Sequence, residues 1–239
     1  MNVVALIVVW TLVGASAWLI RRRLAQGVRP GERRTLASRH RSGAPKRAEL
    51  RSRLAAIGDA GAVVVEAAII TPIFVIIVVA IVEFGSAYKD QLGVESSVRA
   101  GARLASSEPR TSTFAADAVS AVAHEGSALT LSNVQTLWVY QANAAGYPAN
   151  GAPAGTGTSW ACLSNCVQYA YSGGNFVLTS GSWDFTTQNA CVGTEDSLGV
   201  YMTYRHSGVT QIFFSALTLS SHTVMRLEPI PATQTGGCR

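Results

Sequence analysis

Two acids stand where acids are costly. The run from Gly61 to Tyr88, GAVVVEAAIITPIFVIIVVAIVEFGSAY, is almost wholly apolar as far as Gly85, yet it holds Glu66 near its start and Glu83 near its end. About 20 apolar residues cross a bilayer, and an acid costs roughly 2–3 kcal/mol near the helix centre, less towards the ends. Two readings of Glu66 follow. It is a functional carboxylate placed in lipid to meet a cation, or it lies at headgroup level and snorkels into water.

The second reactive group is thiol. Cys162, Cys166, Cys191 and Cys238 all fall in the last third of the chain. Four thiolates could hold structural zinc, and the Cys162/Cys166 spacing lies within the permitted range. An even cysteine count in a segment expected to be exported favours disulfides, with three pairings that spacing does not separate. A Cys162–Cys166 bridge would close a tight loop, whereas pairing either with Cys191 or Cys238 would constrain more chain and stabilise it more. Cys238, beside Arg239, would staple down a tail that otherwise frays.

The remaining candidates form no constellation. His40, His124, His206 and His222 match no ligand spacing, and the nucleophile pattern G-x-S-x-G is missing. A hydrolase is disfavoured on that ground, and no cofactor or metal is expected. Trp138, Trp160, Trp183 and the tyrosines could line a sugar-binding face. Scattered through strand-like segments, they read instead as sheet and core residues.

The elements that must position these groups begin with charge and hydropathy. The chain has 239 residues, is 48% hydrophobic and carries a net charge of +5. Such a balance raises nucleic-acid binding, but most of the basic residues lie between Arg21 and Arg53, between two apolar runs. That distribution is the signature of cytoplasmic retention, so no nucleic-acid partner is expected. Residues 1–20 read as a first transmembrane helix, because Arg21-Arg22-Arg23 follows the apolar run, the reverse of a signal peptide. Its N-terminus is then outside. Residues 21–60 read as a basic cytoplasmic linker, with a short helix from Lys46 to Ile57 and charge that could rest on lipid headgroups. Residues 61–85 read as a second transmembrane helix. Residues 86–239 are then an extracytoplasmic domain on the cytoplasmic membrane.

Pro72 should kink the second span, and Thr71 beside it could help satisfy a freed carbonyl. Beyond the span, Leu92, Val94, Val98, Ala102 and Ala105 recur at helical spacing, and Glu95–Arg99 is an i,i+4 pair in the favourable order. Glu108-Pro109 ends this stem. Thr113–Ser127 reads as a further helix with Thr111 or Ser112 as its cap. Strands are expected at Leu131–Gln141, Asn175–Thr179, Leu198–Tyr204 and Leu217–Leu227. Gln211–Ala216 is a helical turn or a strand continuation, and Ala142–Thr158 is a loop. The fold class expected is α+β: a membrane helix running into a stem helix packed on a small antiparallel sheet, preceded by an extra transmembrane helix.

These features carry a resemblance. Glu66, the fifth residue after Gly61, with a strongly basic segment just before that glycine, resembles the type IV prepilin processing site. More closely, the pattern of glycine, valines, Glu66, Pro72 six residues later, then Glu83-Phe84-Gly85 is similar to the TadE-like pseudopilins of tight-adherence (Tad/Flp) pilus systems. Val200, Met202 and Tyr204, followed by Val224-Met225-Arg226-Leu227-Glu228-Pro229, resemble that family's last two strands. The resemblance implies a non-enzymatic pilin-like subunit that packs with other pilin or pseudopilin subunits and Tad assembly-platform proteins within membrane lipid. It implies a prepilin peptidase cutting after Gly61, a new amine on Ala62, and Glu66 neutralising such an amine on a neighbour. A full apolar span before Gly61 departs from the family's short leaders. Either the leader is unusually long, or the first span is not in the native product, or no cleavage occurs. The rival function is a membrane-anchored extracytoplasmic binding or adhesion module.

Overall fold

The computed structural model describes residues 46–148 and 162–230. The expected first span, residues 21–45 of the linker, His40, Trp160 and Cys238 lie outside the described residues. Two helices, α1 (Lys46–Ser107) and α2 (Phe114–Glu125), precede five strands: β1 (Val134–Ala142), β2 (Cys166–Ser172), β3 (Asn175–Ser182), β4 (Ser197–Ser207) and β5 (Ala216–Arg226). The strands form one antiparallel sheet in the order β3-β2-β1-β4-β5. The protein is therefore α+β, a long apolar helix with a small antiparallel sheet.

The helix expected from Lys46 does not end at Ile57; it is continuous with the apolar run and the stem. It stops at Ser107, just before Glu108-Pro109, where the proline disfavours helical backbone in the residue ahead of it. Pro72 lies inside the helix. The Thr71 hydroxyl donates to the Ala67 carbonyl at 2.6 Å, whereas the carbonyl deprived of an N–H by Pro72 is that of Ala68, four residues back. Thr71 therefore does not take the role expected of it.

The chain divides into two compact units. One comprises residues up to Glu83 together with Thr210–Phe213; the other comprises Phe84–Val209 and Phe214 onward.

In the second unit the stem part of α1 buries Ala87, Val94, Val98, Ala102 and Ala105. Leu92, expected in that stripe, is exposed by 47%; it sits two residues from Val94, on another helix face. Small residues let the stem and α2 approach closely. A Cβ on Gly101 would meet Val122 Cγ2 at 2.6 Å and the Ala118 carbonyl oxygen at 2.9 Å. Glu95 accepts a hydrogen bond from Gln91 at 3.0 Å instead of pairing with Arg99. Helix α2 begins after Thr113, whose side chain makes no cap bond, so neither Thr111 nor Ser112 is its cap.

Alternation along the central strands divides the sheet's two faces. Leu137 and Val139 of β1, Val167 and Tyr169 of β2, and Leu198, Val200, Met202 and Tyr204 of β4 join the helices in the main core. The opposite face carries a second cluster of Trp138, Tyr140 and Cys166, with Cys162 and Tyr201 packed against it. The Tyr140 ring occupies the space a Cβ on its cross-strand partner Gly199 would need, and its hydroxyl donates to the Gly146 carbonyl at 3.0 Å. Strand β2, not expected from sequence, forms a hairpin with β3 across Gly173 and Gly174, both at positive φ. Of the segment Gln211–Ala216, residues 211–215 are neither helix nor strand but part of the loop joining β4 to β5, and Ala216 opens β5.

The last described segment closes the domain on the stem. Helix ends leave carbonyls without intrahelical donors, and Glu228 N–H donates to one of them, Ser106 O, at 2.8 Å. Leu227 beside it is buried.

Candidate functional site

The first site is the apolar part of α1. Every residue from Val63 to Phe74 is exposed, and among the described residues no element covers this stretch. A helix apolar all round needs a surrounding of its own polarity. Among the described residues one helix is long and apolar enough to cross a membrane, and it fits a membrane anchor. Residues 63–82 extend about 30 Å at ~1.5 Å per residue, which matches the hydrocarbon thickness of a bilayer.

Glu66 lies in the first turns of this stretch, exposed, with no hydrogen bond or ion pair among the described residues. Gly61 and Ala62 both have helical backbone. Gly58 and Gly61 fall in the turn just before the apolar run, and each glycine weakens a helix interior by about 1 kcal/mol relative to alanine.

Glu83 has the opposite surroundings. It is completely buried, and one of its carboxyl oxygens accepts from both donors of Thr210: the backbone N–H at 2.8 Å and the hydroxyl at 2.9 Å. These two hydrogen bonds offset part of the cost of taking the carboxyl group out of water. The pairing joins residues 127 apart in sequence. Nothing local in the sequence marks Thr210 as the partner, although an acid closing an apolar run is itself a signal that something must receive it.

The second unit has a comparable polar tie. His206 on β4, 4% exposed, meets Asp90 of the stem at 2.7 Å through Nδ1. A further clamp holds the turn after the stem. Arg110, in the left-handed region at φ 59°, donates its N–H to Gln188 Oε1 at 2.6 Å and its guanidinium to the Gln188 carbonyl at 2.8 Å. These contacts fix the domain; they do not converge on a reacting position. Among the described residues no group of His, Cys, Asp or Glu is placed to hold a metal ion.

Cys162 and Cys166 form a disulfide, with Cα atoms 5.3 Å apart, so neither thiol is a zinc ligand. The bridge sits at the start of β2 and packs on the Trp138–Tyr140 face. Cys191 is also disulfide-bonded, to a partner outside the described residues. His222 stacks on Tyr147, with ring centroids 5.8 Å apart, and partial burial lowers its pKa. Trp138 and Trp183 are buried and form no exposed aromatic face.

A family model described as TadE-like protein matches residues 61–103. The match starts at Gly61, covers the apolar run with Glu66 and Glu83, and ends in the stem; the Val200–Tyr204 and Val224–Pro229 segments lie beyond it. No curated protein and no solved structure matches the chain. The chain thus resembles TadE-like proteins over its membrane helix and stem, and that resemblance suggests a Tad pilus-associated component.

Proposed function

We propose that this protein is a pseudopilin-like subunit of a Tad-type pilus or secretion machine, acting through helix packing in the membrane and not through catalysis. Residues 61–85 anchor it in the cytoplasmic membrane, the basic linker stays in the cytoplasm, and the domain after Gly85 lies outside. A prepilin peptidase cuts after Gly61, where the glycines ease local unwinding of the helix. Ala62 then carries a free amine, and Glu66 pairs with such an amine on a neighbouring subunit, among pilin-like partners and the assembly platform.

The observation that carries this reading is the contrast between two acids on one helix. Glu83 is received within its own chain by Thr210, whereas Glu66 stands exposed in an apolar surround at the end where the family match begins. A carboxylate left alone in lipid is penalised, and a cation from another subunit relieves the penalty.

Glu66→Ala tests it. Losing a partner worth about 2–3 kcal/mol in lipid should lower incorporation into assembled pili tenfold or more. Circular dichroism of the outer domain should be unchanged. Wild-type incorporation in that variant would remove the pairing role.

A further inference from the structure

We propose that the loop between β4 and β5 is a second, interfacial membrane contact, seating Ile212 and Phe213 at the boundary between lipid headgroups and hydrocarbon. The inference rests on reading residues 63–82 as a membrane span, and it concerns a segment far outside the TadE-like match.

Three observations converge. First, the loop tip is tied to the end of the span. Thr210 gives Glu83 both its N–H and its hydroxyl, at 2.8 and 2.9 Å. If residues 63–82 fill a hydrocarbon core of about 30 Å, Glu83 stands at its outer edge, and Thr210 stands with it. The depth of the loop is therefore set by the helix.

Second, the tip displays apolar surface at that level. Ile212 is 59% exposed and Phe213 is 42% exposed, and no residue from Ser207 to Ser215 is charged. A charged side chain would hold such a loop in water, and residues 207–215 have none. Aromatic and aliphatic side chains at the interface gain from leaving water while the backbone stays hydrated.

Third, the tip has a defined shape. Gln211 holds a left-handed backbone at φ 57° without being glycine. The Thr210 hydroxyl that donates to Glu83 also accepts from Ile212 N–H at 3.4 Å. Gly208 N–H closes the loop's base on the Ser215 carbonyl at 3.1 Å. A fixed loop presents its apolar pair in one direction and loses little entropy on docking. The occupant that shares the level of Glu83 is the bilayer surface, because lipid surrounds the span wherever protein does not.

The test uses the full chain reconstituted in phosphatidylcholine/phosphatidylglycerol vesicles. An environment-sensitive fluorophore is placed on Ile212→Cys and, separately, on Ile76→Cys in mid-span; Cys162, Cys166 and Cys191 are disulfide-bonded and do not compete for label. Lipids brominated near the glycerol end, or near the chain terminus, act as depth-resolved quenchers. The label at 212 should be quenched most by the shallow bromines and the label at 76 most by the deep ones. Adding Thr210→Val to Ile212→Cys should reduce the shallow quenching. If the label at 76 is quenched and the label at 212 is not, the loop does not touch lipid and the inference falls while the span stands. If neither is quenched, both fall. Quenching-resistant emission at 212 that shifts with the protein-to-lipid ratio would show a second copy covering the loop, which also overturns the inference.

Discussion

Glu66 and Glu83 are the same side chain on one helix, and their surroundings give them different work. Glu83 has its donors built in; Glu66 has none among the described residues, and the partner proposed for it is an amine on a neighbouring subunit. A third glutamate, beyond the apolar run, is likewise set by its surroundings. The Glu108 carboxyl, in the turn after the stem, is held above the ordinary carboxylate range, first by desolvation and then by the nearby Asp117 charge. A raised carboxylate pKa means that the folded state binds its proton more tightly than the unfolded chain does. Glu108 therefore favours folding at low pH and opposes it as pH rises through the folded pKa. Glu108→Gln should raise the domain's Tm near neutral pH, and the gain over wild type should vanish below the ordinary carboxylate range. Thermal melts from pH 3 to 8 check it; a constant difference at all pH values would contradict the assignment.

At the scale of elements, the crossing of α1 and α2 is the most constrained contact. Gly101 leaves room for Val122 and for the Ala118 carbonyl, and the second of these is backbone that cannot swing aside. Gly101→Val should cost about 1–3 kcal/mol by overpacking and lower the Tm of the domain after Gly85 by several degrees. Gly85→Ala, where an added Cβ meets nothing within 4 Å, should not destabilise it. Equal melting temperatures for Gly101→Val and wild type would mean the helices are not so close. This stem was legible in the sequence because Val94, Val98, Ala102 and Ala105 repeat at the helical period, and Pro109 marks its end. Strands β4 and β5 were legible through their alternation. Strand β2 was not, because Cys166 and Val167 are both buried, each against a different face of the sheet, so the apolar-polar alternation that signals a strand is blurred. The Glu95–Arg99 pairing failed for a similar reason: Gln91 offered Glu95 a donor one turn back on the same face.

For the molecule as a whole, the exposed apolar helix was legible and the seat of Glu83 was not. Hydropathy reads along the chain, whereas Thr210 lies 127 residues from Glu83 and meets it only through the fold. The same distinction separates the two membrane contacts proposed for this protein. One is written as a continuous apolar run; the other, at Ile212 and Phe213, depends on a loop that Thr210 ties to Glu83 at the end of that run. The proposal that this run begins a processed, assembling subunit is open to N-terminal sequencing of the protein extracted from membranes of cells that make the complete pilus system. The chain should start at Ala62, and that terminus should be lost when Gly61 is replaced by a bulky residue such as leucine. A terminus upstream of Gly61 in fully assembled material would contradict it.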